Sequence, residues 1–397
     1  MAICSRTSLR LAVLAIGIAL PGFYISPAGA GPAPQFTEID GAAQDFTVAR
    51  VAGPFDHPWS IAFLPGGQLL VSERWGELKL VTPGTGEQLV ISGTPPRPTL
   101  DHAGLMDVIL DPDYPANRTI YLTYAHGDRQ GATVRVLKAQ LNLEARALEN
   151  ARIIYESGPP PPNLEEFGGR MVIDRHGFLF VTLGDRYDRR RAQDRSDAHG
   201  SVIRLNRDGS IPADNPFVGM EGIRPEIWTY GHRNPQGLAI DPATGLLWAH
   251  EHGAMGGDEL NIIKRGANYG WPVITYSTEY DGTPINNGVT HADGMEQPVR
   301  YWVPSIAPSG LAIYTGPVRE WQGTMWLGGL VGQVLVRLTL ENGRVMREER
   351  FLKDELGRIR DVRMSPDGFI YFSTDDSKGE IFRVEPKKMH AVRVKRR

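Results

Sequence analysis

Residues 169–185 carry the sequence GRMVIDRHGFLFVTLGD, in which two apolar runs flank an Asp-Arg-His-Gly turn. Each run has the short, alternating apolar pattern that is typical of a half-buried β-strand. Asp and Gly readily adopt the backbone angles that a tight turn requires. The stretch therefore predicts a β-hairpin with its turn near residue 176.

The same pattern recurs five times along the chain, which indicates a repeat architecture. The copies lie at residues 60–73, 104–124, 237–251, 310–329 and 361–374, with turns near residues 65, 112, 242, 316 and 366. Most copies are followed by another β-rich run, at residues 76–81, 200–206, 332–340 and 379–384. A hairpin followed by one or two further strands forms a propeller blade. We therefore predict an all-β fold, a six-bladed β-propeller of four-stranded antiparallel blades over residues 45–386.

The composition indicates a folded, turn-rich protein and excludes several functional classes. Of 397 residues, 41% are hydrophobic and 22% are charged, which is typical of a globular chain. The 45 glycines and 30 prolines favour many short strands over long helices. A net charge of -3 argues against nucleic-acid binding, and a single cysteine argues against a disulfide framework or a thiolate metal cluster.

Residues 1–30 have the features of a secretory signal peptide. Arg6 and Arg10 form a positive region, residues 11–20 are apolar, and an Ala-Gly-Ala cleavage site ends at Ala30. The apolar part is too short for a transmembrane helix, although an uncleaved anchor stays open as the alternative. We expect a periplasmic or secreted protein with no membrane span after cleavage.

Two further segments lie outside the predicted propeller. Residues 31–44 are expected to form an N-terminal extension, and residues 387–397 form a basic tail that we expect to be solvated. The oligomeric state stays open between a monomer and a homodimer.

Three arginines suggest a pocket for a small polyanionic ligand. Arg233 and Asn234 precede Pro235, which favours an extended chain with projecting side chains. Arg358 and Arg360 are two residues apart, so on a strand they share a face, and their charges repel unless an anion lies between them. The alternatives are a loop arginine that pairs with a carboxylate and a solvated basic strand edge.

Carboxylates beside two predicted strands suggest metal or acid/base chemistry. Asp258 and Glu259 follow a glycine-rich run and offer the oxygen ligands that Ca²⁺ prefers. Glu165 and Glu166 precede the strand of the third repeat, where they form either an acid/base pair or a solvated acidic turn.

Other catalytic motifs are missing from the sequence. It contains no G-x-S-x-G elbow, no P-loop and no G-x-G-x-x-G before a helix, which argues against a serine hydrolase and a nucleotide site. His250 and His252 share a strand face, but a zinc site needs a third ligand that the sequence does not show.

Over about residues 45–385 the chain resembles the soluble dehydrogenases of sugars that depend on pyrroloquinoline quinone (PQQ), the glucose/sorbosone dehydrogenase family. The similarity lies in LGD (183–185), GSVIRLNRDGSIPADNPF (200–217), GHRNPQGLA (231–239), DELNIIKRGANYGWP (258–272) and RIRDVRMSPDG (358–368). The resemblance implies a six-bladed propeller with PQQ and Ca²⁺ as cofactors. It also implies oxidation of the C1 hydroxyl of an aldose sugar to a lactone, with electrons passed to an external acceptor.

The resemblance further implies roles for individual residues. Those that match positions contacting PQQ are Arg233, Asn234, Arg358, Arg360 and His102. Those that match metal positions are the carbonyl groups of Gly253 and Ala254 for a cofactor Ca²⁺, and Asp258, Glu259 and the Tyr269 carbonyl for a second Ca²⁺. Asp185 matches an acidic residue that lines the catalytic pocket.

The chain departs from the family at two positions. Glu166 stands where the family has its catalytic His, three residues before Gly169 and Arg170, and Val331 stands where the family has a Lys that pairs with PQQ. Glu166 is then the expected proton acceptor, with His102 as the competing candidate. Two other functions stay open: a propeller that has lost the oxidation and binds a ligand or partner, and a Ca²⁺-dependent lactonase-like hydrolase.

Overall fold

The computed structural model describes residues 37–40 and 44–387, which form six β-sheets and very little helix. The predicted signal peptide lies outside the described residues, as do most of the predicted extension and basic tail. Within the described part of the chain, no helix is long and apolar enough to span a bilayer.

The strands follow one another with short connections. In chain order they are β1 (Thr37–Asp40), β2 (Phe46–Phe55), β3 (Pro58–Phe63), β4 (Leu69–Glu73), β5 (Leu78–Thr82), β6 (Glu87–Ile91), β7 (Leu105–Leu110), β8 (Thr119–Asp128), β9 (Gly131–Asn142), β10 (Ala147–Glu156), β11 (Gly168–Ile173), β12 (Phe178–Leu183) and β13 (Ser201–Asn206). They continue with β14 (Ile227–Tyr230), β15 (Pro235–Ile240), β16 (Leu247–Glu251), β17 (Asp258–Ile263), β18 (Arg300–Trp302), β19 (Pro308–Ile313), β20 (Thr324–Gly329), β21 (Val334–Glu341), β22 (Arg344–Phe351), β23 (Ile359–Met364), β24 (Ile370–Thr374) and β25 (Gly379–Pro386). The helical segments are α1 (Tyr114–Asn117) and three 3₁₀ turns at Arg191–Gln193, Ile285–Gly288 and Arg319–Trp321.

The sheets are the blades of a six-bladed propeller, which confirms the predicted fold. Five blades consist of consecutive antiparallel strands: β3–β6, β7–β10, β11–β14, β15–β18 and β19–β22. In the sixth, β23, β24 and β25 are completed by β2, which pairs with β25 so that Val48 lies opposite Val384. One blade differs from the prediction, because β1 adds a fifth, parallel strand beside β22.

The innermost strands define the central channel. These strands are β3, β7, β11, β15, β19 and β23, and each contacts the next around the ring. Because every blade begins with its innermost strand, all six run in the same direction and their amino ends meet at one end of the channel. The predicted turns near residues 65, 112, 176, 242, 316 and 366 lie at the opposite ends of these strands, between the first two strands of each blade.

Aromatic packing holds the closing strand β2 against the fifth blade. The Phe46 ring packs edge-on against Phe351 at 5.0 Å and against Trp326 at 5.7 Å. Both tryptophans of this cluster, Trp321 and Trp326, are completely buried. Aromatic side chains bury large apolar areas, so this cluster stabilises the contact between the strand that completes the sixth blade and the fifth blade.

Arg170 of β11 connects four blades at the channel axis. Its Nη1 lies 2.9 Å from Asp361 Oδ1 and its Nε donates to the carbonyl of Gln236 at 2.8 Å. Its guanidinium also packs over the Trp59 ring at 3.9 Å. A second arginine, Arg363, is 2.8 Å from Asp361, so the buried charges at the axis compensate one another.

Replacement of Arg170 by Met should lower the free energy of unfolding by about 3 kcal/mol, because it removes one of the two arginines that compensate the buried carboxylate of Asp361. Guanidinium denaturation followed by tryptophan fluorescence would measure the change. Arg129→Met is the control, since Arg129 is exposed and its replacement should change the stability by less than about 0.5 kcal/mol. Equal losses in both variants would contradict the assigned role of Arg170.

Candidate functional site

The amino ends of the inner strands surround two adjoining cavities. The first, which we call the arginine pocket, has a volume of about 480 Å³ and includes Arg74, Arg358 and Arg360. The second, the carboxylate pocket, has a volume of about 540 Å³ and includes Glu166 and Arg233. The residues that line both are His102, Asn234, His252, Ala307 and Val331. These volumes lie in the range of small-molecule sites.

Three guanidinium groups in the arginine pocket surround the carboxylate of Asp375. Arg360 Nη2 lies 3.0 Å from Asp375 Oδ2, Arg358 Nε lies 3.3 Å from the same oxygen, and Arg74 Nη2 lies 3.7 Å from Oδ1. Burial alone would raise the pKa of Asp375, but the three arginines outweigh it and hold that pKa far below its usual range. Three cations therefore surround one anion in this cluster, while Asp101 and Glu165 add two further carboxylates to the lining of the pocket.

Two hydrogen-bond donors of this cluster lack an acceptor. The Nε atoms of Arg74 and Arg360 are buried, and no side chain or carbonyl in residues 44–387 accepts a hydrogen bond from them. A buried donor left without a partner costs about 1–3 kcal/mol. Burial, and then the nearby charge of Arg360, lower the pKa of Arg74 to about 10. The pocket therefore fits an anionic ligand.

The structure brings Arg358 and Arg360 together, but not on one strand face as predicted. Arg358 precedes β23, and a bulge between Ile359 and Asp361 interrupts the pairing of that strand. The Arg358 side chain is 45% exposed, whereas Arg360 is buried. Asp375 of the chain itself provides an anion between the two arginines.

Arg233 lies in the carboxylate pocket, which corrects the expectation that all three predicted arginines share one ligand-facing cluster. Its Nη2 lies 2.5 Å from Glu166 Oε1, and its Nη1 donates to the carbonyl of Gly253 at 2.6 Å. The backbone amide of Arg233 also donates to Glu251 Oε2 at 2.6 Å. A carboxyl group of the chain therefore already occupies one end of this guanidinium group.

Glu166 is a buried carboxyl group in a left-handed backbone conformation. Its φ is 52°, which is uncommon for a residue other than glycine, and only 5% of the residue is exposed. Burial raises the pKa of Glu166 to about 9, with the charge of Arg233 opposing the rise and Asp185 adding to it. We conclude that Glu166 holds a proton in the neutral range.

Asp185 lies beside Glu166 and is fixed by two donors. Its Oδ2 accepts a hydrogen bond from Trp271 Nε1 at 2.7 Å, and its Oδ1 accepts one from the Tyr187 amide at 2.9 Å. Both acids line a small cavity of about 60 Å³ at the mouth of the carboxylate pocket. The prediction that Asp185 lines the site agrees with this position.

His102 lies between the two pockets and acts as a hydrogen-bond donor. Its Nδ1 accepts the Glu166 backbone N–H at 3.2 Å, so the proton of the neutral ring is on Nε2. Although His102 is exposed to the open cavity, desolvation in the cavity wall and the charges of Arg360 and Arg74 lower its pKa to about 4. A ring with this pKa is uncharged near neutral pH and is a weak proton acceptor.

Asn234 and Val331 complete the wall between the pockets. Asn234 Oδ1 accepts from the Gly168 amide at 3.2 Å and from Gln236 Nε2 at 3.0 Å. Both hydrogen bonds use the side-chain oxygen of Asn234, so its NH₂ group is the part that can donate to a ligand. Val331 is 63% exposed and adds no charge to either pocket.

The predicted calcium residues divide into two groups with different environments. The Gly253 carbonyl accepts a hydrogen bond from Arg233, and Ala254 lines the same cavity. Asp258 lies elsewhere: its Oδ1 accepts the Gly253 amide at 3.0 Å, and its Oδ2 accepts from the Ser305 hydroxyl at 2.7 Å and from two backbone amides of residues 306–307. In this structure the Asp258 carboxylate anchors backbone amides and a hydroxyl group, and its predicted role as a calcium ligand stays a prediction.

Glu259 faces a second carboxylate that the sequence argument missed. It lies opposite Glu251 in the β16–β17 ladder, and Asn261 Nδ2 donates to both, at 3.1 Å to Glu259 and 3.4 Å to Glu251. Burial, and then the charge of Glu251, raise the pKa of Glu259 to about 8. Tyr269 lines the same narrow cavity. Among the described residues, no group of three or more His, Cys, Asp or Glu side chains is arranged to hold a metal.

The two histidines of the HEH segment have structural roles. His250 Nε2 lies 2.8 Å from the Gly310 carbonyl, and His252 Nε2 lies 2.9 Å from the Pro308 carbonyl. Burial lowers the pKa of each histidine below the usual value for an imidazole. Both rings link the fourth blade to the fifth, in agreement with the weak case for zinc.

Ser157, His199 and Asp197 form a hydrogen-bonded series between the end of the second blade and the third blade. His199 joins Asp197 at 2.5 Å and Ser157 Oγ at 3.2 Å. Ser157 is only 1% exposed, and its Oγ accepts the Val134 amide at 3.1 Å. A nucleophile without access to substrate cannot act on it, so this series is structural.

Comparisons with known proteins agree with the fold. The family model for glucose / sorbosone dehydrogenase matches residues 55–383. Aldose sugar dehydrogenase YliI of Escherichia coli is 40% identical over 336 residues, covering 84% of this chain and 91% of that protein. The crystal structure of the soluble aldose sugar dehydrogenase of E. coli in the apo-form has a TM-score of 0.83 at 39% identity, covering 86% of this chain and all of that one. The PQQ-bound aldose sugar dehydrogenase of Streptomyces coelicolor has a TM-score of 0.71 at 27% identity, covering 89% of this chain and 100% of that one.

Glu166→Gln should flatten the pH dependence of stability between about pH 5 and pH 9. The wild-type carboxyl keeps its proton in the folded state up to about pH 9, while the unfolded chain releases it near pH 4.5. The free energy of unfolding of the wild type therefore falls as the pH rises through this window, and the stability of the variant relative to the wild type should increase. Urea denaturation at several pH values would measure the difference, with Glu165→Gln as the neighbouring control. A constant difference across the window would contradict the raised pKa.

Proposed function

Because this chain belongs to the glucose/sorbosone dehydrogenase family, we propose that it oxidises the C1 hydroxyl of an aldose sugar to the lactone with PQQ and Ca²⁺. Electrons would then pass to an external acceptor, and the predicted signal peptide would place the reaction in the periplasm or outside the cell. The observation that carries the proposal is the cluster of Arg74, Arg358 and Arg360 around Asp375 in the arginine pocket, with two buried guanidinium donors that lack an acceptor.

The arginine pocket fits PQQ by charge and by donor chemistry. PQQ is a tricarboxylate, and planar guanidinium groups bind carboxylates through paired hydrogen bonds. The buried Nε atoms of Arg74 and Arg360 would gain the acceptor that they lack within the chain. His102 Nε2–H and the Asn234 amide would donate from the wall that both pockets share. When bound, PQQ would supply the quinone that accepts a hydride from C1 of the sugar.

Glu166 would take the proton of the sugar hydroxyl in the carboxylate pocket. Its carboxyl group must be ionised to do so, and its raised pKa means that this form accumulates as the pH approaches about 9. Arg233, 2.5 Å away, favours the ionised form, and Asp185 disfavours it. The balance between these neighbours would set the pH at which the protein is active.

Two groups of oxygen atoms would each coordinate one Ca²⁺ ion. The carbonyl groups of Gly253 and Ala254 belong to the carboxylate pocket, and the first would be available once Arg233 Nη1 releases it. Glu259 and Tyr269 would coordinate the second ion. Glu251 would be a third ligand, because the carboxylates of Glu251 and Glu259 repel each other unless a cation lies between them.

Arg358→Gln should weaken PQQ binding about tenfold or more, because it removes a charge-assisted contact. Val331→Lys should strengthen binding about threefold, because it adds a cation at an exposed position of the pocket wall. Equilibrium titration of the purified protein with PQQ in calcium buffer would measure both, with Arg129→Gln as the control. Equal affinities in all variants would contradict binding in the arginine pocket.

Turnover should increase with pH toward about 9, and Glu166→Gln should lower kcat about 10²-fold or more. Dye reduction by the PQQ- and calcium-loaded protein with a panel of aldoses would show both effects. Glu144→Gln, which replaces an exposed carboxylate, is the control. A wild-type rate independent of pH, or a fully active Glu166→Gln variant, would exclude Glu166 as the base.

A binding protein that has lost the oxidation is the second candidate. The observation that favours it is the Glu166–Arg233 ion pair, which occupies a cation that the resemblance assigns to PQQ, together with the uncharged Val331. The same assays separate the two functions. Tight PQQ binding without oxidation of any aldose in the panel would support the second candidate.

A further inference from the structure

A third cavity opens at the far end of the channel, where the inner strands end. We call it the distal cavity, and its volume is about 390 Å³. Apart from Arg363 and Thr315, every described residue that lines it is apolar. An open apolar concavity of this size is typical of a small-molecule site. Its wall includes the last residue of five inner strands, each partly exposed: Leu110, Ile173, Ile240, Ile313 and Met364.

Arg363 is the charged residue in the wall of the distal cavity. Its Nε donates to Asp361 Oδ2 at 2.8 Å, and its Nη2 donates to Asp107 Oδ1 at 2.5 Å and to Ser60 Oγ at 3.1 Å. The third nitrogen atom, Nη1, takes part in none of these bonds. Because the side chain is 18% exposed, Nη1 can donate a hydrogen bond to a ligand in the cavity.

The charge of Arg363 is compensated within the channel. Asp361 also lies 2.9 Å from Arg170, and Asp107 lies 3.7 Å from it, so two arginines and two aspartates form one cluster without net charge. A ligand with a carboxylate would add a negative charge beside these buried aspartates. The cavity therefore suits an uncharged ligand that combines an apolar body with a hydrogen-bond acceptor.

The distal cavity and the arginine pocket lie close together along the channel. On β7, Met106 lines the arginine pocket and Ile109 lines the distal cavity. On β23, Arg360 lines the arginine pocket and Arg363 lines the distal cavity. A strand rises about 3.3 Å per residue, so this spacing of three residues places the two cavities about 10 Å apart.

The charge cluster separates the two cavities. Asp107 and Asp361 lie between the lining residues of the two strands, and together with Arg170 they are buried. A sugar or another small molecule cannot pass through this packed layer. Electrons can tunnel through a layer of protein of this thickness, so the two cavities can exchange electrons without exchanging ligands.

We propose that the distal cavity binds the external electron acceptor and that this acceptor is an uncharged quinone. The proposal rests on the proposed function, in which each sugar oxidised leaves two electrons at the arginine pocket. A quinone ring has two apolar faces and carbonyl oxygens at its edge. It suits the apolar wall and accepts a hydrogen bond from Arg363 Nη1. The sugar and the acceptor then enter the channel from opposite ends.

The transfer balances in electrons and protons. Oxidation of the sugar hydroxyl to the lactone yields two electrons and two protons at the arginine pocket. The protons leave to water at the mouth of that pocket, and the electrons cross the buried layer. The quinone in the distal cavity takes up the two electrons, together with two protons from water at the open end of the cavity, and becomes a quinol.

Titration of the purified protein with menadione, an uncharged naphthoquinone, would test the site by calorimetry in the presence and absence of PQQ and calcium. We expect the same affinity under both conditions, because the distal cavity and the arginine pocket are separate. The anionic analogue 1,4-naphthoquinone-2-sulfonate should bind the PQQ-loaded protein about tenfold or more weakly than menadione, because its charge is not compensated there.

Ile240→Asp and Ile313→Asp should each weaken menadione binding about tenfold or more, because each places a carboxylate in the apolar wall. Both residues are partly exposed, so the variants should fold, which thermal unfolding would verify. The affinity for PQQ should change less than about twofold in either variant, since the sites do not share residues. Val90→Asp, at an exposed residue of β6 that lines none of the three cavities, is the control.

Absence of menadione binding, competition between menadione and PQQ, or unchanged binding in both aspartate variants would overturn the site. The role as acceptor is tested with the loaded protein and an aldose, where Ile240→Asp should raise the KM for menadione about tenfold. Electron transfer from the sugar to ferricyanide but not to bound menadione would overturn that role. The proposed function fails separately: if neither acceptor is reduced while menadione binding still depends on Ile240, the dehydrogenase is contradicted and the binding site stands.

Discussion

The ion pair between Arg170 and Asp361 is the contact on which the arrangement of the channel depends. Arg170 belongs to the third blade and reaches residues of the first, fourth and sixth blades from one guanidinium group. A buried charge is tolerated only when it is compensated and hydrogen-bonded, so the inner strands must keep their positions for this group to be satisfied. The residues that form the walls of the two pockets lie at the amino ends of these same strands, so the contacts of Arg170 also position the pocket walls.

The site separates charge between its two pockets. In the arginine pocket three arginines surround the carboxylate of Asp375, whereas Arg233 and Arg189 in the other region each contact one glutamate. In the proposed function, an anionic cofactor would bind in the first region and a neutral sugar in the second. His102 and Asn234 lie on the boundary, where one donor set can serve both molecules.

Glu166 stands where the family resemblance predicts a histidine, and the two residue types would hold a proton over different pH ranges. A histidine near its usual pKa is a ready acceptor at neutral pH, but a buried glutamate beside Asp185 keeps its proton to higher pH. Arg233 opposes this effect, and it can do so only because its guanidinium turns toward Glu166 rather than toward the arginine pocket. The replacement at residue 166 and the position of Arg233 are thus two parts of one electrostatic arrangement.

The sequence by itself determined the propeller, the number of blades and most of the site. Apolar alternation and Gly/Asp turns act over a few residues, so GRMVIDRHGFLFVTLGD and its copies were sufficient for the repeat count. Arg358, Arg360 and Glu166 were found because they lie next to recognisable strands. Only the tertiary structure showed that β2 closes the sixth blade and that Arg74 and Asp375 belong to one cluster. These contacts join residues about 300 positions apart in the sequence. The residues meet only because the propeller closes into a ring, so no local sequence pattern predicts the contacts.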